Sequence, residues 1–267
     1  MKNLPWHTKI VLALLAFLPL YFGVAALGTK FGFWGWQTGL LSLTLGGGVI
    51  LLGIVAVAAL VSLIIAARGK PRRNGLLAAA IIGLLVPGAT FVMFMAAGSK
   101  AGDNPIHDVA TDTADPPAFS AATMTAREES AANPLSDYQT PLGQLELYKS
   151  VPPELGIKSH AQIITDRYAT LAPLPLAGAS PADAAAAVAA AMGNMGFKDI
   201  HTDAATGTVE GVAESFWFGF KDDVVARIGE NEIDFRSVSR VGQSDLGANA
   251  ARIAELRERV AGQIGQR

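Results

Sequence analysis

Seven polar residues towards the C-terminal end form the densest set that could do chemistry: Asp222, Asp223, Arg236, Arg240, Asp245, Asn249 and Arg252. Arg236 and Arg240 lie four apart in an alternating segment, so they share one face of a strand. A helix beginning near Asp245 would offer free backbone N–H groups just beyond that strand. Arginines beside a helix N-terminus suit an anion, because the guanidinium keeps its charge and presents a planar fork of donors. The alternative use of these residues is a salt-bridge network tying strand to helix, Arg236 with Asp223 and Arg240 with Asp245. Asp222 and Asp223 do not make a hydrolytic acid pair, because adjacent strand residues point to opposite faces and cannot flank one bond.

The remaining candidates carry less. His107, Asp108, Asp112 and Asp115 offer ligands for a divalent cation, but with one His and no diagnostic spacing. Their ordinary reading is a solvated, Pro-flanked loop in which the aspartates cap and turn. His160 and His201 stand alone and read as surface residues. Ser237, Ser239 and Ser244 have no nearby His to serve as base. Gly-x-Ser-x-Gly, a phosphate loop and a dinucleotide fingerprint are all absent, and no cofactor is expected. The chain has no cysteine, which excludes disulfides, thiol catalysis and Cys-ligated zinc. Trp217, Phe218 and Phe220 cluster in a Gly-containing loop and read as core filling rather than a stacking platform.

The elements that must position these residues follow from local pattern. Ser180-Pro181-Ala182-Asp183 opens a helix, with Ser as N-cap, Pro at the first helical position and an acid in the first turn. That helix is expected through Ala184–Met192, with Gly193 as its stop. Strands are expected at Phe197–Asp203, Thr208–Ser215, Val224–Gly229 and Glu232–Arg240. With a turn at Glu230-Asn231, Ile228 faces Ile233, Ala226 faces Phe235 and Val224 faces Ser237. The other side then pairs Arg227 with Asp234 and sets Asp223 diagonal to Arg236. This register sorts apolar from charged residues. A last helix, about Asp245–Ile264, puts Leu246, Ala250, Ile253, Leu256, Val260 and Ile264 on one stripe, with Ser244 as its cap.

The N-terminal part is a different polymer. Residues 1–100 hold eight Lys and Arg and no acid, whereas residues 101–267 hold 13 Lys and Arg against 23 acids, a formal −10. A domain so acidic repels nucleic acid and anionic headgroups. Apolar runs at about 10–27, 40–67 and 75–98 are each long enough to cross a bilayer core of roughly 30 Å. Gly46–Gly48 and the alanines allow close helix approach, and Pro87 is expected to kink the third span. Trp34 and Trp36 sit where an interfacial aromatic belt is expected. The first run also has features of a cleaved signal peptide, with Lys2 and Lys9 before it and Ala25-Ala26 near its end. Arg68, Lys70, Arg72 and Arg73 lie between spans two and three, against Lys30 alone between spans one and two. That asymmetry puts the N-terminus in the cytoplasm and the C-terminal domain outside, in the periplasm of a bacterium. Residues 99–140, rich in Ala, Ser, Thr, Pro and Asp, read as a loose tether with a docked start near Ile106–Phe119.

The stretch Trp217-Phe218-Gly219-Phe220-Lys221-Asp222-Asp223-Val224-Val225, then Asp234 to Ile253 (DFRSVSRVGQSDLGANAARI), resembles the domain-of-unknown-function family numbered 1499. Ile106 to Pro117 (IHDVATDTADPP) is similar to that family's opening motif. The resemblance covers roughly residues 105–265. Some members carry a Cys in the opening segment, which this chain lacks. The resemblance implies a membrane-anchored bacterial form and no particular activity.

The expected architecture is a three-helix transmembrane anchor (1–98), a linker (99–140) and a soluble α+β domain (141–267) with an antiparallel sheet covered by two helices. The expected role is a membrane-tethered periplasmic binding or interaction module of the cell envelope. Its partners would be the lipid bilayer and an envelope protein or small anionic ligand, not nucleic acid. The alternatives are an envelope hydrolase using the Asp/Arg set, or a structural partner of another membrane protein.

Overall fold

Among the described residues, three helices are long and apolar enough to cross a membrane: Trp6–Lys30, Gln37–Arg68 and Asn74–Asp103. The computed structural model describes residues 4–265. It divides into two compact units, Met1–Ser99 with Phe216–Gly219, and Lys100–Ser215 with Phe220–Arg267.

In the first unit, α1 is Trp6–Lys30, and the second span begins as a π-helix, Gln37–Gly47, that continues as α2, Gly48–Arg68. The wider π-helical winding lets Thr44 Oγ1 donate to the carbonyl of Gly39, five residues back, at 2.8 Å. Small residues let the helices touch, as expected. A Cβ at Gly47 would lie 2.3 Å from the Tyr21 hydroxyl, and one at Gly83 would lie 2.6 Å from Val11 and 2.7 Å from Ala59. The third span, α3 (Asn74–Asp103), is helical on both sides of Pro87.

The second unit is built on a six-stranded antiparallel sheet in the order β1-β6-β5-β4-β3, with β2 also on β6. The strands are β1 Asp108–Ala110, β2 Leu174–Pro175, β3 Lys198–Asp203, β4 Thr208–Glu214, β5 Lys221–Ile228 and β6 Glu232–Ser239. The hairpin register is the expected one: Ile228 opposite Ile233, Arg227 opposite Asp234, Ala226 opposite Phe235 and Val224 opposite Ser237. One face carries Val209, Ala213, Val224, Ala226, Ile228, Ile233 and Phe235 into the main core.

Two helices cover that face. Helix α7 (Pro181–Asn194) starts on the Ser180 cap, whose side chain accepts from the Asp183 N–H. It runs past Gly193 and ends before Gly196, where φ is +79°. Helix α8 (Ala248–Ile264) buries Ala250, Ile253, Leu256, Val260 and Ile264. Each fully buried aliphatic chain contributes about 1.5–3 kcal/mol by leaving water. Helix α8 begins three residues later than Asp245, because Leu246 (φ +59°) and Gly247 (φ +80°) are left-handed and cannot be helical. Leu246 is accordingly exposed rather than part of the stripe.

The other face is covered too, by the stretch expected to be a loose tether. Residues 108–110 form β1, and Ala121–Glu129 forms α4 behind a Ser120 cap. Phe119 and Leu135 pack on Val225 and Val238 of the sheet. The segment 111–137 therefore acts as a strap. It is held by the sheet's charged face: Glu210 accepts from both the backbone N–H and the hydroxyl of Ser120, at 2.5 and 2.8 Å, and from Thr123. Between strap and α7 lie two further short helices, α5 (Pro153–Gly156) and α6 (His160–Arg167).

Candidate functional site

The sheet divides the seven predicted residues between its two sides. Asp222 points to α8 and accepts from Arg252 Nη2 at 2.6 Å. On that side Arg252 Nη1 also reaches Ser237 Oγ and Asn249 Oδ1, while Asn249 Nδ2 donates to the His107 carbonyl and to Ser239 Oγ. Asp245 accepts from the N–H groups of Gly247 and Asn249 at 2.7 and 2.6 Å. Two donors at this helix terminus are thus taken by the chain's own carboxylate, and the Ala248 N–H by the Asp245 carbonyl. Burial pushes the Asp245 carboxyl up, against those two hydrogen bonds.

Asp223, Arg236 and Arg240 stand on the strap side. Asp223 is shared by two arginines, Arg240 through Nε and Nη2 and Arg127 of α4 through Nη1 at 2.6 Å. Arg236 does not pair with Asp223, nor Arg240 with Asp245. Arg236 Nε and Nη2 grip Asp108 at 3.0 and 2.7 Å. The reason is register: β1 lies beside β6 with Asp108 opposite Val238, so the Asp108 and Arg236 side chains emerge on the same face. Arg236 and Arg240 share a face, as their spacing requires, but each has its own buried carboxylate.

Asp108 opens a buried polar cluster that sequence reasoning missed. Its carboxylate accepts four bonds, two from Arg236, one from the Tyr138 hydroxyl at 2.5 Å and one from the Ser136 N–H at 2.9 Å. The Arg236 guanidinium, directly ion-paired with it, holds the carboxyl low against the desolvation that opposes it. Next to it, His107 Nε2 donates to the Pro134 carbonyl, so Nδ1 is left to accept from the Tyr148 hydroxyl at 2.6 Å. The His160 ring packs edge-on to Tyr148, with centroids 5.2 Å apart, and its Nε2 meets Ser136 Oγ at 2.9 Å. His160 Nδ1 is buried without a hydrogen-bond partner.

His107 and His160 are therefore core residues, not loop and surface ones. Burial pushes both imidazoles down, His160 to about 4, so both are neutral at neutral pH. Burial also pushes the Tyr138 and Tyr148 phenols up. His201 is exposed, as expected. A capping box at Ser159-x-x-Gln162 was the available sign that His160 opens a helix.

The suggested cation ligands are not brought together. His107 and Asp108 enter the core, while Asp112 and Asp115 stand outside it around Arg227. Among the described residues no cluster of three or more His, Asp or Glu could hold a metal ion. Trp217 is mostly exposed, with Phe216 beside it, and Phe218 and Phe220 are only partly buried, so the aromatic loop does not fill the core as expected.

Charged chemistry on both sides of the sheet is thus directed inward. It can hold strap to sheet and sheet to helix, and its two buried imidazoles can take up protons only at a cost in stability. No curated protein and no solved structure matches the chain. A family model described as protein of unknown function (DUF1499) matches residues 108–260, from Asp108 in β1 to Val260 in α8. That match spans more than half of the 267 residues, and the chain belongs to this family.

Proposed function

We propose that this chain is a membrane-tethered binding or interaction module of the cell envelope. Its acidic domain stands outside a bacterial inner membrane, in the periplasm, and its N-terminus inside. The observation that carries the location is the charge asymmetry of the short loops: Lys2, Lys9, Arg68, Lys70, Arg72 and Arg73 on the inner side, Lys30 alone on the outer. A module rather than a hydrolase is supported by where the Asp/Arg set goes. Asp222 and Asp223 act on opposite sides of the sheet, and Arg236, Arg240 and Arg252 each bond a carboxylate of the domain itself. In this reading Arg236, Arg240, Asp245, Asn249, Arg252, Asp222 and Asp223 form the frame that shapes the surface offered to an envelope protein or small anionic ligand. The formal −10 of residues 101–267 makes nucleic acid an unsuitable partner.

The location is tested with reporter fusions at the C-terminus. Alkaline phosphatase, which folds only outside the cytoplasm, should be active there, and a fluorescent protein that matures only inside should be dark. The opposite pattern would place the domain in the cytoplasm and end the envelope reading.

A further inference from the structure

The turn between β4 and β5 is the most apolar exposed feature on the sheet. Ser215 and Phe220 close it, the Ser215 N–H donating to the Phe220 carbonyl at 2.8 Å and the Phe220 N–H to Ser215 Oγ at 2.9 Å. Gly219, at φ +67°, makes the bend. At its tip Phe216 is 72% and Trp217 57% exposed, the two rings edge-to-face at 5.1 Å. The Lys30 ammonium lies 5.3 Å from the centre of the Phe216 ring, yet both rings stay largely exposed, the kind of apolar patch that marks a contact outside the fold.

Strand register shows which end of the sheet this turn occupies. Asp108 lies opposite Val238, the Ser239 N–H donates to the His107 carbonyl, and Ser239 lies opposite Asp222 at the start of β5. The chain therefore enters the domain at the sheet end that bears the aromatic turn. With strands about 4.8 Å apart, β1 to β5 spans roughly 10 Å. Arg167 holds the Asp103 carbonyl, while Tyr168 and Ser244 hold Asn104 at 2.8 and 2.5 Å. The third apolar run ends at Gly98, and five helical residues beyond it rise only about 8 Å. That is comparable to the depth of one headgroup layer, about 5–7 Å.

We infer that Phe216 and Trp217 insert into the headgroup region of the bilayer that anchors the chain, fixing the entry end of the sheet against the lipid. Trp and Phe are suited to this layer, since their rings are apolar and the indole edge is polar. The domain's net negative charge gives it no attraction to anionic lipid, so contact must come from ring insertion and must occur on zwitterionic headgroups. The inference rests on the membrane anchor and not on which side of the membrane the domain occupies.

The absence of cysteine allows a direct test on the full chain. Single variants Phe216→Cys, Trp217→Cys, Asn231→Cys and Leu85→Cys are spin-labelled and reconstituted in phosphatidylcholine vesicles. Collision rates with oxygen, which partitions into lipid, and with a water-soluble nickel chelate present on both sides, are then measured. Asn231 lies in the turn at the far end of the sheet and reports water; Leu85, exposed on the third span, reports lipid. The expected result is a several-fold lower nickel rate and a raised oxygen rate at 216 and 217 relative to 231. Rates at 216 and 217 equal to those at 231 would overturn the inference, leaving the turn in water. Rates low for both reagents would overturn it as well, because protein rather than lipid would then cover the turn. A lipid signature at 85 with neither loop site following it rejects only this inference, whereas its loss at 85 rejects the anchor.

Discussion

Replacing Asp108 by alanine should destabilise the domain by about 3–5 kcal/mol, the usual cost of removing one partner from a buried ion pair. The Asp108 carboxylate is fully buried and accepts four hydrogen bonds, so its loss strands the Arg236 guanidinium and the Tyr138 hydroxyl together. A single domain has only about 5–15 kcal/mol to lose. Denaturant unfolding of a fragment comprising residues 101–267 measures this, because the main core lies wholly within those residues. The Arg259–Glu255 pair on α8 is the internal control. Both its side chains are about half exposed, and Arg259→Ala should cost no more than about 0.5 kcal/mol. Equal, small losses in the two variants would show that the Asp108 network does not hold the strap.

The second large effect is acid sensitivity. Burial lowers His160 to about 4, from an ordinary value of 6.5, and lowers His107 as well. A histidine with a depressed folded-state pKa binds its proton more readily when unfolded. Its contribution is fully present above pH 6.5 and drains away as pH falls through 6.5 towards 4. For His160 alone that amounts to about 3 kcal/mol. His107 acts in the same direction, while Asp245, raised by burial, opposes it at the acid end. Asp108, held low by Arg236, adds a further loss only below the ordinary carboxyl value of 3.8, as pH falls towards its lower folded value. Unfolding midpoints at pH 7.5, 6.0 and 4.5 should fall steadily in the parent fragment and more gently in His160→Gln. A parent whose midpoint stays level over that range would contradict the placement of both histidines.

How much of this was legible in the sequence depends on the range of each interaction. The β5–β6 hairpin was legible because a period-two pattern and a two-residue turn set every pair locally. Helices α7 and α8 were legible from a Ser-Pro start and an apolar stripe. The start of α8 was misplaced because Asp245 looks like a first-turn acid, whereas it caps from before a left-handed Leu246-Gly247 pair. Beyond the docked start expected near Ile106–Phe119, the strap was not legible. Its composition is that of a linker, and what orders it is Glu210, Asp223 and Arg236, each some 85 to 130 residues from its partner along the chain. Residues 141–179 escaped for a different reason. Their helices are three to eight residues long, too short for a period to register. In the charged set, the shared face of Arg236 and Arg240 was legible from their spacing, but their partners were not, because Asp108 arrives on β1 to take Arg236 and leaves Asp223 to Arg240 and to Arg127 of the strap.

The most direct test is whether the arginines of β6 belong to a frame or to an open anion site. The measurement is unfolding of residues 101–267, as parent, Arg236→Ala and Arg240→Ala, with and without phosphate, small carboxylates and sugar acids. The frame predicts strong destabilisation in both variants and no anion-dependent shift that depends on these two guanidinium groups, since Arg236 is committed to Asp108 and Arg240 to Asp223. Near-native stability in either variant, together with an anion shift that the parent shows and the variant loses, would contradict it.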